Sequence, residues 1–282
     1  MYTVDELENK LIDLAFAEDI GDGDHTTLCC IPESALGAQK LLVKEEGIIA
    51  GIEIAKKIFH RFDPELEIEQ FLTDGTRVKV GDVAFIARGK VRSLLQTERL
   101  MLNVMQRMSG IATVTSKYMK ILEGTKCKVL DTRKTTPGMR MFEKAAVKIG
   151  GGENHRIGLF DMILLKDNHI DFAGGIGNAL DRAQAYLKEK KKQLKIEIEV
   201  RNFKELEECL KHGGVDRIML DNFSVEDTRK AVEIINGRTE IESSGGITID
   251  TIRSYADCGV DFVSVGALTH SVKGLDLSFK AV

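Results

Sequence analysis

The chain has 282 residues, of which 43% are hydrophobic and 30% are charged. This balance excludes a disordered or fibrous chain, and the length allows two modest domains or one large barrel with an extension. The formal net charge of −4 gives no general attraction to nucleic acid or to an acidic membrane surface. Five cysteines, an odd number without the spacing of metal ligands, predict reduced thiols in a cytoplasmic protein.

The first 110 residues predict a mixed region of helices and strands. An acidic amphipathic helix opens the chain with apolar residues at Val4, Leu7, Leu11 and Leu14, and it lacks the basic start and apolar block of a signal peptide. Strand patterns follow in "AQKLLVKEEGIIAG" and "TRVKVGDVAFIARG", with a helical pattern, "IEIAKKIFHRF", between them. A long helix is predicted from Ser93 to about Leu122, and its apolar stripe indicates core packing by Leu94, Met101, Met105, Met108 and Ala112.

Beyond residue 122 strands and helices alternate. Six apolar strand candidates end in "CKVLDTR", "DMILLKDNH", "KIEIEV", "RIMLDN", "EIESSGG" and "DFVSVGA", and helical patterns separate the later ones. This alternation predicts parallel βαβ units in a barrel or a doubly wound sheet. Because the units number fewer than eight, a barrel would be incomplete or would have one strand still hidden in the pattern.

Polar residues stand where the predicted strands end, and this placement favours a barrel. The carboxyl ends of parallel strands meet at one face, where barrel enzymes bind their ligands. Any one of these residues could be an ordinary turn or capping residue. Together they predict a shared site formed by Asp131, Arg133, Lys166, Glu199, Asp221, Ser244 and Gly266.

The cations in this region indicate an anionic ligand. Residues 131–170 hold seven Lys/Arg against five Asp/Glu, whereas the whole chain holds 40 against 44. Unpaired cations repel one another, so several in one site need a ligand with more than one negative charge. The candidates are Arg133, Lys134, His155, Arg156 and Lys166, with Arg99 as a possible addition.

Carboxylates and glycines complete the predicted site. Glu199 and Asp221 suit Mg²⁺, ribose hydroxyls or a developing positive charge, and the alternative is that they only pair with nearby cations. "SSGGI" at 243–247 and "VGALTHS" at 265–271 predict a phosphate cradle of backbone N–H groups, with a helix starting near Thr248 after Gly245 and Gly246.

Several motifs together resemble a known family. "DTRKTTPGMR", "GGGENHRIGLFDMILLKDNH", "IEIEV", "MLDNFS", "SSGGI" and "VGALTHS" occur in the order and approximate spacing of the quinolinate phosphoribosyltransferases, also called nicotinate-nucleotide pyrophosphorylases (carboxylating). "EDIGDGDHTT" and "TERLMLNVMQRMSGIAT" extend the resemblance over nearly the whole chain.

The resemblance implies a fold, a reaction and an assembly. The fold would be an N-terminal α/β sandwich domain over residues 1–110, completed by 272–282, followed by an incomplete α/β barrel over 111–271. The reaction would transfer the ribose 5-phosphate unit of phosphoribosyl pyrophosphate to quinolinate. Carbon dioxide and pyrophosphate would be released, with Mg²⁺ and no organic cofactor. Members work as dimers or as larger assemblies of dimers.

The resemblance also implies roles for individual residues. Arg133, His155, Arg156 and Lys166 would bind the two carboxylates of quinolinate, with Arg99 reaching in from the partner subunit. Lys134 would face the pyrophosphate and the reaction centre, together with a catalytic Lys166. Glu199 and Asp221 would hold the metal and the ribose. The 5-phosphate would lie against Ser244, Gly245, Gly246, Gly266 and Ala267.

Two departures from the family pattern and three alternatives stay open at this point. Arg201 stands where a second acidic residue is common, and Ser243 stands where a small apolar residue is usual.

The alternatives are a phosphoribosyltransferase for nicotinate or another acid, a phosphosugar-binding protein without catalysis, and an aldolase-like barrel that uses Lys166 as a Schiff base. The excess of cations argues against nicotinate, the retained carboxylates against a binding protein, and the arginines against an aldolase.

Overall fold

The structure, a computed structural model, describes residues 2–282. The helices are α1 (Val4–Ile20), α2 (His25–Cys30), α3 (Ile52–Phe62), α4 (Val91–Ile121), α5 (Arg140–Ile149), α6 (Asp167–Ala173), α7 (Ile176–Lys190), α8 (Phe203–His212), α9 (Val225–Ile235), α10 (Ile252–Ala256) and α11 (Ala267–His270). The strands are β1 (Leu36–Val43), β2 (Gly47–Ile48), β3 (Glu67–Gln70), β4 (Arg77–Val78), β5 (Val83–Lys90), β6 (Lys128–Leu130), β7 (Ile163–Leu165), β8 (Ile196–Val200), β9 (Arg217–Asp221), β10 (Glu240–Ser244), β11 (Phe262–Ser264) and β12 (Leu277–Ala281). None of the helices in the described range is both long and apolar enough to cross a membrane.

The residues group into two compact units. The first comprises the chain up to Ser116 together with Thr135–Gly151 and Ala267–Val282, and the second comprises Lys117–Lys134 and Gly152–Gly266. The units are therefore interleaved along the sequence, because the segment around α5 and the C-terminal segment group with the first unit. The expected domain boundary at residue 110 stays a prediction.

The first unit contains an antiparallel sheet in the order β12-β1-β5-β3. The C-terminal strand pairs with β1, for example Leu41 with Phe279. Phe279 then joins Phe59 of α3 and Phe85 of β5 in an aromatic cluster whose ring centroids lie 5.9–6.1 Å apart. A separate two-stranded ribbon forms from β2 and β4.

Two helices of the first unit differ in how far their apolar residues are buried. On α4 the stripe of Leu94, Met101, Met105, Met108 and Ala112 is fully buried, which confirms the predicted core packing. On α1 the helix is confirmed and begins with a capping box at Thr3. Its apolar residues Val4, Leu7 and Leu14 are exposed, and Ile12 is the buried residue of the helix.

The second unit contains a parallel sheet in the order β6-β11-β10-β9-β8-β7. All six strands that the sequence predicts are present, and β11 pairs with β6, the strand that comes first along the chain. The two edge strands, β6 and β7, are consecutive in sequence, and Leu130 at the end of β6 forms an isolated parallel bridge with Glu153. The unit is therefore an incomplete barrel, as predicted, with its opening between β6 and β7.

The helix predicted to start near Thr248 was placed too early. The helix α10 begins at Ile252, and Thr248–Thr251 form a turn instead. The Thr248 N–H donates to Thr251 Oγ1 at 3.0 Å, and the Thr251 N–H donates to the Thr248 carbonyl at 3.2 Å. Threonine hydroxyls that bond to nearby backbone groups offer the chain an alternative to a helix, which explains the delay.

Candidate active site

A cavity of about 350 Å³ lies at the carboxyl ends of the barrel strands in the second unit. Every barrel strand contributes a lining residue, either from the strand itself or from the loop that follows it. The lining comprises Thr132, Arg133, Lys134, His155, Arg156, Leu164, Lys166, Glu199, Met219, Glu242, Ser244 and Ser264. The structure therefore brings together seven of the predicted site residues: Arg133, Lys134, His155, Arg156, Lys166, Glu199 and Ser244.

The remaining predicted residues lie outside this lining. Asp221 ends β9 two residues after the lining residue Met219, and Gly245 and Gly246 follow Ser244, the lining residue that ends β10. Gly266 and Ala267 follow β11 in the same way, since Ser264 is the last residue of that strand. Arg99 is an exposed residue of α4 in the first unit.

Three cations form one side of the cavity. Arg133 and Lys134 are exposed in the loop that follows β6, where Thr132 Oγ1 accepts the Lys134 N–H at 3.0 Å. Arg156 is buried, and one of its Nη1–H groups donates to the Met162 carbonyl at 3.3 Å. Burial lowers the pKa of the Arg156 guanidinium, and the positive charge of Arg133 lowers it further. An anion bound between these cations would relieve both effects.

The loop that carries His155 and Arg156 is shaped by two carboxylates. Asp131, at the end of β6 and fully buried, accepts the His155 N–H at 2.9 Å. Asp161 accepts the backbone N–H groups of Ile157 at 2.7 Å and of Gly158 at 2.8 Å. Carboxylates bonded to backbone N–H groups hold a loop in one conformation. Asp161 was not among the predicted site residues, and nothing in its sequence position distinguishes it from an ordinary turn residue.

The His155 ring is oriented by contacts on both of its nitrogens. Its Nδ1 accepts the Arg156 N–H at 2.7 Å, so this nitrogen acts as a hydrogen-bond acceptor. The Nε2 atom lies 3.0 Å from Glu197 Oε2 and 3.6 Å from Glu242 Oε2. The ring therefore joins the cavity wall to two carboxylates in the barrel interior.

Glu197 and Glu242 are the largest omission of the sequence prediction. Both are fully buried, and burial raises the pKa of each carboxyl, with the charge of Glu197 raising that of Glu242 further. Arg217 supplies the opposite charge, since its Nη1 lies 3.1 Å from Glu242 Oε2 and 4.0 Å from Glu197 Oε2. Its guanidinium also lies over the Phe262 ring, 4.0 Å from the centroid.

These interior carboxylates leave a signal in the sequence. Glu197 precedes Glu199 by two residues in "IEIEV", and Glu242 precedes Ser244 by two residues in "EIESS". In a strand, residues two apart face the same side. A strand end that faces the cavity therefore predicts that the residue two positions earlier also faces the barrel interior.

Lys166 and Glu199 form an ion pair at the cavity. Lys166 Nζ lies 2.7 Å from Glu199 Oε1, and Glu199 Oε2 also accepts the Asp167 N–H at 3.4 Å. Glu199 is buried while Lys166 is about half exposed. The alternative that Glu199 pairs with a nearby cation is therefore realised here, and a ligand that uses either group has to separate the pair.

The acidic residues at the ends of β8 and β9 fit the donor chemistry of Mg²⁺. Glu199 and Asp221 come from neighbouring strands and offer carboxylate oxygens, the hard donors that Mg²⁺ prefers. Asp221 is partly exposed, and its Oδ2 accepts a hydrogen bond from Asn222 Nδ2 at 2.9 Å. The donor types therefore suit the metal that the family resemblance implies.

The glycine loop after β10 has a conformation that needs glycine. Gly245 has φ +105°, and a Cβ atom there would lie 2.2 Å from Asn222 Oδ1 and 2.9 Å from the Asn222 backbone nitrogen. The Asn222 N–H donates to the Ser244 carbonyl at 2.9 Å, so the loops after β9 and β10 are bonded to each other. Gly246, at φ +60°, also lies in the left-handed region.

The two departures from the family pattern have clear local environments. The guanidinium of Arg201 donates to both carboxylate oxygens of Asp171 at 2.8 and 3.0 Å, and its Nε donates to Glu205 at 2.9 Å. Arg201 thus ties α6 and α8 to the end of β8. Ser243 is buried, and its Oγ has no hydrogen-bond partner among the described residues.

Known proteins of one family match this chain over nearly its whole length. The model of the quinolinate phosphoribosyl transferase N-terminal domain matches residues 24–109, and that of the C-terminal domain matches residues 111–280. A relative from Oryza sativa subsp. japonica, nicotinate-nucleotide pyrophosphorylase (carboxylating), chloroplastic, is 45% identical across 96% of this chain and 76% of its own length. The solved NadC of Streptococcus pyogenes has a TM-score of 0.91 at 39% identity and covers 100% of this chain and 99% of its own. The nicotinate-nucleotide pyrophosphorylase of Francisella tularensis has a TM-score of 0.92 at 40% identity, with coverage of 100% and 98%. The chain therefore belongs to the quinolinate phosphoribosyltransferase family.

Proposed function

We propose that this protein transfers the phosphoribosyl group of phosphoribosyl pyrophosphate to quinolinate and releases carbon dioxide, which makes it a pentosyltransferase of NAD biosynthesis. The products are nicotinate mononucleotide, pyrophosphate and carbon dioxide. The observation that carries the proposal is a cavity with Arg133, Arg156 and Lys166 beside the carboxylate of Glu199. Such a cavity can hold a dicarboxylate and a cationic reaction centre together.

Quinolinate binds through its two carboxylates in this proposal. Arg133, Arg156 and Lys166 contact them, and Arg99 reaches the site from the partner subunit of a dimer or a larger assembly of dimers. The two guanidinium groups of Arg133 and Arg156 exceed what one carboxylate can neutralise, which favours quinolinate over nicotinate. His155 stays a predicted quinolinate contact, and its ring already orients the Arg156 backbone.

The phosphosugar lies across the remaining strand ends. Lys134 faces the pyrophosphate, while Glu199 and Asp221 face the ribose. Ser244, Gly245, Gly246, Gly266 and Ala267 hold the 5-phosphate in this proposal. Gly245 and Gly246 have positive φ values, a conformation found in backbone cradles that bind anions. Mg²⁺ bound by Glu199 and Asp221, directly or through water, would supply positive charge to the pyrophosphate.

The reaction then follows from charge. As the bond from ribose C1 to pyrophosphate breaks, positive charge develops on the ribose, and the carboxylates of Glu199 and Asp221 stabilise it. The pyridine nitrogen bonds to C1 and becomes cationic, and its positive charge stabilises the electron pair left on the adjacent ring carbon when the carboxylate departs as carbon dioxide. A proton then replaces that carboxylate on the ring carbon. Contacts to the second carboxylate keep the ring in place for both steps.

The location and the assembly belong to the same proposal. All five cysteines are free thiols, which is compatible with a reducing compartment, and we assign the protein to the cytoplasm. The rice relative carries the word chloroplastic in its name.

A gas-release assay tests the proposed function. Purified protein with carboxyl-labelled quinolinate should release labelled carbon dioxide only when phosphoribosyl pyrophosphate and Mg²⁺ are both present. Nicotinate in place of quinolinate should give no nucleotide product. Turnover with nicotinate would assign the enzyme to another pyridine acid, and phosphosugar binding without any turnover would favour a binding protein.

A further inference from the structure

An ion pair in the first unit connects four separate segments of the chain. Arg107 lies on α4 and Glu143 on α5, and Arg107 Nε donates to Glu143 Oε1 at 2.6 Å. The Glu143 side chain is fully buried and that of Arg107 is 28% exposed. A carboxylate buried to this degree needs its cation, because removal of one partner leaves an uncompensated charge in the interior.

The same two side chains hold the segment that follows β6. The Thr136 N–H donates to Glu143 Oε2 at 3.2 Å, and Thr136 Oγ1 accepts from Arg107 Nη2 at 3.0 Å. Beside it, Thr135 Oγ1 accepts from Arg140 Nε at 3.1 Å. These bonds give a purpose to the two adjacent threonines of "LDTRKTTPGMR", for which the proposed reaction has no use.

Arg107 also holds the segment that follows β11. Its Nη2 donates to the backbone carbonyl of Thr269 at 2.7 Å, and Thr269 is fully buried. One planar guanidinium thus bonds a carboxylate, a hydroxyl and a carbonyl that belong to three different parts of the chain. Lysine has a single nitrogen and cannot reproduce this fork.

The two segments follow residues that serve different substrates. Thr136 comes two residues after Lys134 and three after Arg133, whereas Thr269 comes three residues after Gly266. Arg107 therefore restrains the chain just beyond residues proposed to bind quinolinate and pyrophosphate, and also just beyond residues proposed to bind the 5-phosphate. Small displacements of groups that position a substrate reduce rates strongly.

We propose that Arg107 and Glu143 are positioning residues, which fix the segment after Lys134 and the segment after Gly266 so that both substrates are aligned for transfer. This inference rests on the proposed function. Neither side chain touches a substrate, so loss of the pair alters alignment without removing a binding group.

The test compares Arg107→Lys, Glu143→Gln and Thr136→Ala with two matched controls. Lys57→Met removes a cation of the same unit that pairs with Asp5 and Glu8, and Asp63→Asn changes a buried carboxylate that accepts a bond from Ser93 at 2.6 Å. Thr136 is exposed, so its substitution removes one acceptor with little risk to folding. Steady-state kinetics with each substrate varied, calorimetric binding of each substrate and thermal unfolding are measured for every variant.

We expect Arg107→Lys and Glu143→Gln to lower kcat/KM for both substrates by roughly 10- to 100-fold, with a smaller drop in the same direction for Thr136→Ala. The controls should stay within about twofold of the parent protein, whatever their melting temperature, because surface and remote sites act independently. Parent kinetics in the folded Arg107 and Glu143 variants would overturn the inference. So would losses that track only the folded fraction and disappear when the assay is cooled.

The two proposals fail in different ways. If the parent protein neither binds quinolinate nor forms a nucleotide, the proposed function is wrong and the positioning role falls with it. If the parent protein turns over and the Arg107 and Glu143 variants match the controls, only the positioning role is wrong.

Discussion

Arg133 is the exposed cation at the end of β6, and we expect it to contact a carboxylate of quinolinate. The change Arg133→Ala removes a charged hydrogen bond worth about 1.5–3 kcal/mol, so KM for quinolinate should rise roughly 10- to 150-fold. KM for phosphoribosyl pyrophosphate should change less than about threefold, because Lys134 and the glycine loops remain. Steady-state kinetics with each substrate varied measures both. Arg88→Ala, which removes an exposed partner of Glu69, is the control, and equal losses for both substrates would contradict the assignment.

Residue types in the sequence predicted some of the residues of this cavity and missed others. Adjacent cations after an apolar run, as at Arg133 and Lys134, have no use in a plain turn, and so the sequence singled them out. Glu197 and Glu242 escaped notice because a charged residue at every second strand position is the usual pattern of a solvent-facing side. The signal that distinguishes them is the spacing of two residues from Glu199 and Ser244, which places them on the side that faces the barrel interior. The pairing of Lys166 with Glu199 was open in the sequence for a similar reason, since either residue had several possible partners.

Arg201 is one of the two residues at which the resemblance implies a departure from the family pattern, and its contacts predict the effect of a change to glutamate. In Arg201→Glu a third acidic group would stand beside Asp171 and Glu205, which now accept its hydrogen bonds. Repulsion among them should lower the free energy of unfolding. Urea unfolding measures this, and Lys230→Glu, placed beside Glu226 on α9, is the control for a charge reversal elsewhere. A more stable Arg201→Glu variant would show that the acidic residue suits this chain as well.

At the scale of elements, the barrel strands were predictable and the sheet of the first unit was less so. The strands from β6 to β11 are short and end at or next to polar residues, and β8, β9 and β10 each hold at least three consecutive buried residues. In contrast, β3 alternates exposed and half-buried residues. Strand β12 pairs with β1 across almost the whole chain, for example Val43 with Leu277, and local patterns contain no information about such a partner.

Strands β8 and β10 each place one carboxyl with a raised pKa in the barrel interior. These carboxyls predict that the stability of the protein depends on pH. Glu197 and Glu242 have raised pKa values through burial, whereas in the unfolded chain both ionise near the ordinary value. Between the unfolded and the folded pKa values, the folded state therefore binds more protons than the unfolded chain does. The free energy of unfolding should accordingly fall as pH rises from about 5 to about 8. Glu242→Gln should flatten this slope in urea unfolding at several pH values. Glu69→Gln, on the exposed strand β3, should leave it unchanged, and equal slopes in the parent protein and Glu242→Gln would contradict the prediction.

At the scale of the whole molecule, the question is where Arg99 acts. A single chain cannot answer it. The residue is exposed on α4 in the first unit, while the cavity belongs to the second unit. Composition, periodicity and strand order describe one copy of the chain, and the surfaces that join two copies have no separate signature in them. The proposal that Arg99 serves the partner's cavity came from the family resemblance, and it has a direct test in mixed assemblies.

The test mixes two inactive variants, Arg99→Ala and Lys134→Ala, under conditions that exchange subunits. If Arg99 serves the partner's site, a mixed dimer has one site with both groups intact and one site with neither. Random pairing makes half of the dimers mixed, so activity should recover to roughly a quarter of that of the parent protein. If Arg99 serves its own site, each site in the mixed dimer lacks one group and no activity returns. Mixing Arg133→Ala with Lys134→Ala is the control, because both residues line one cavity of a single chain and no pairing can restore it.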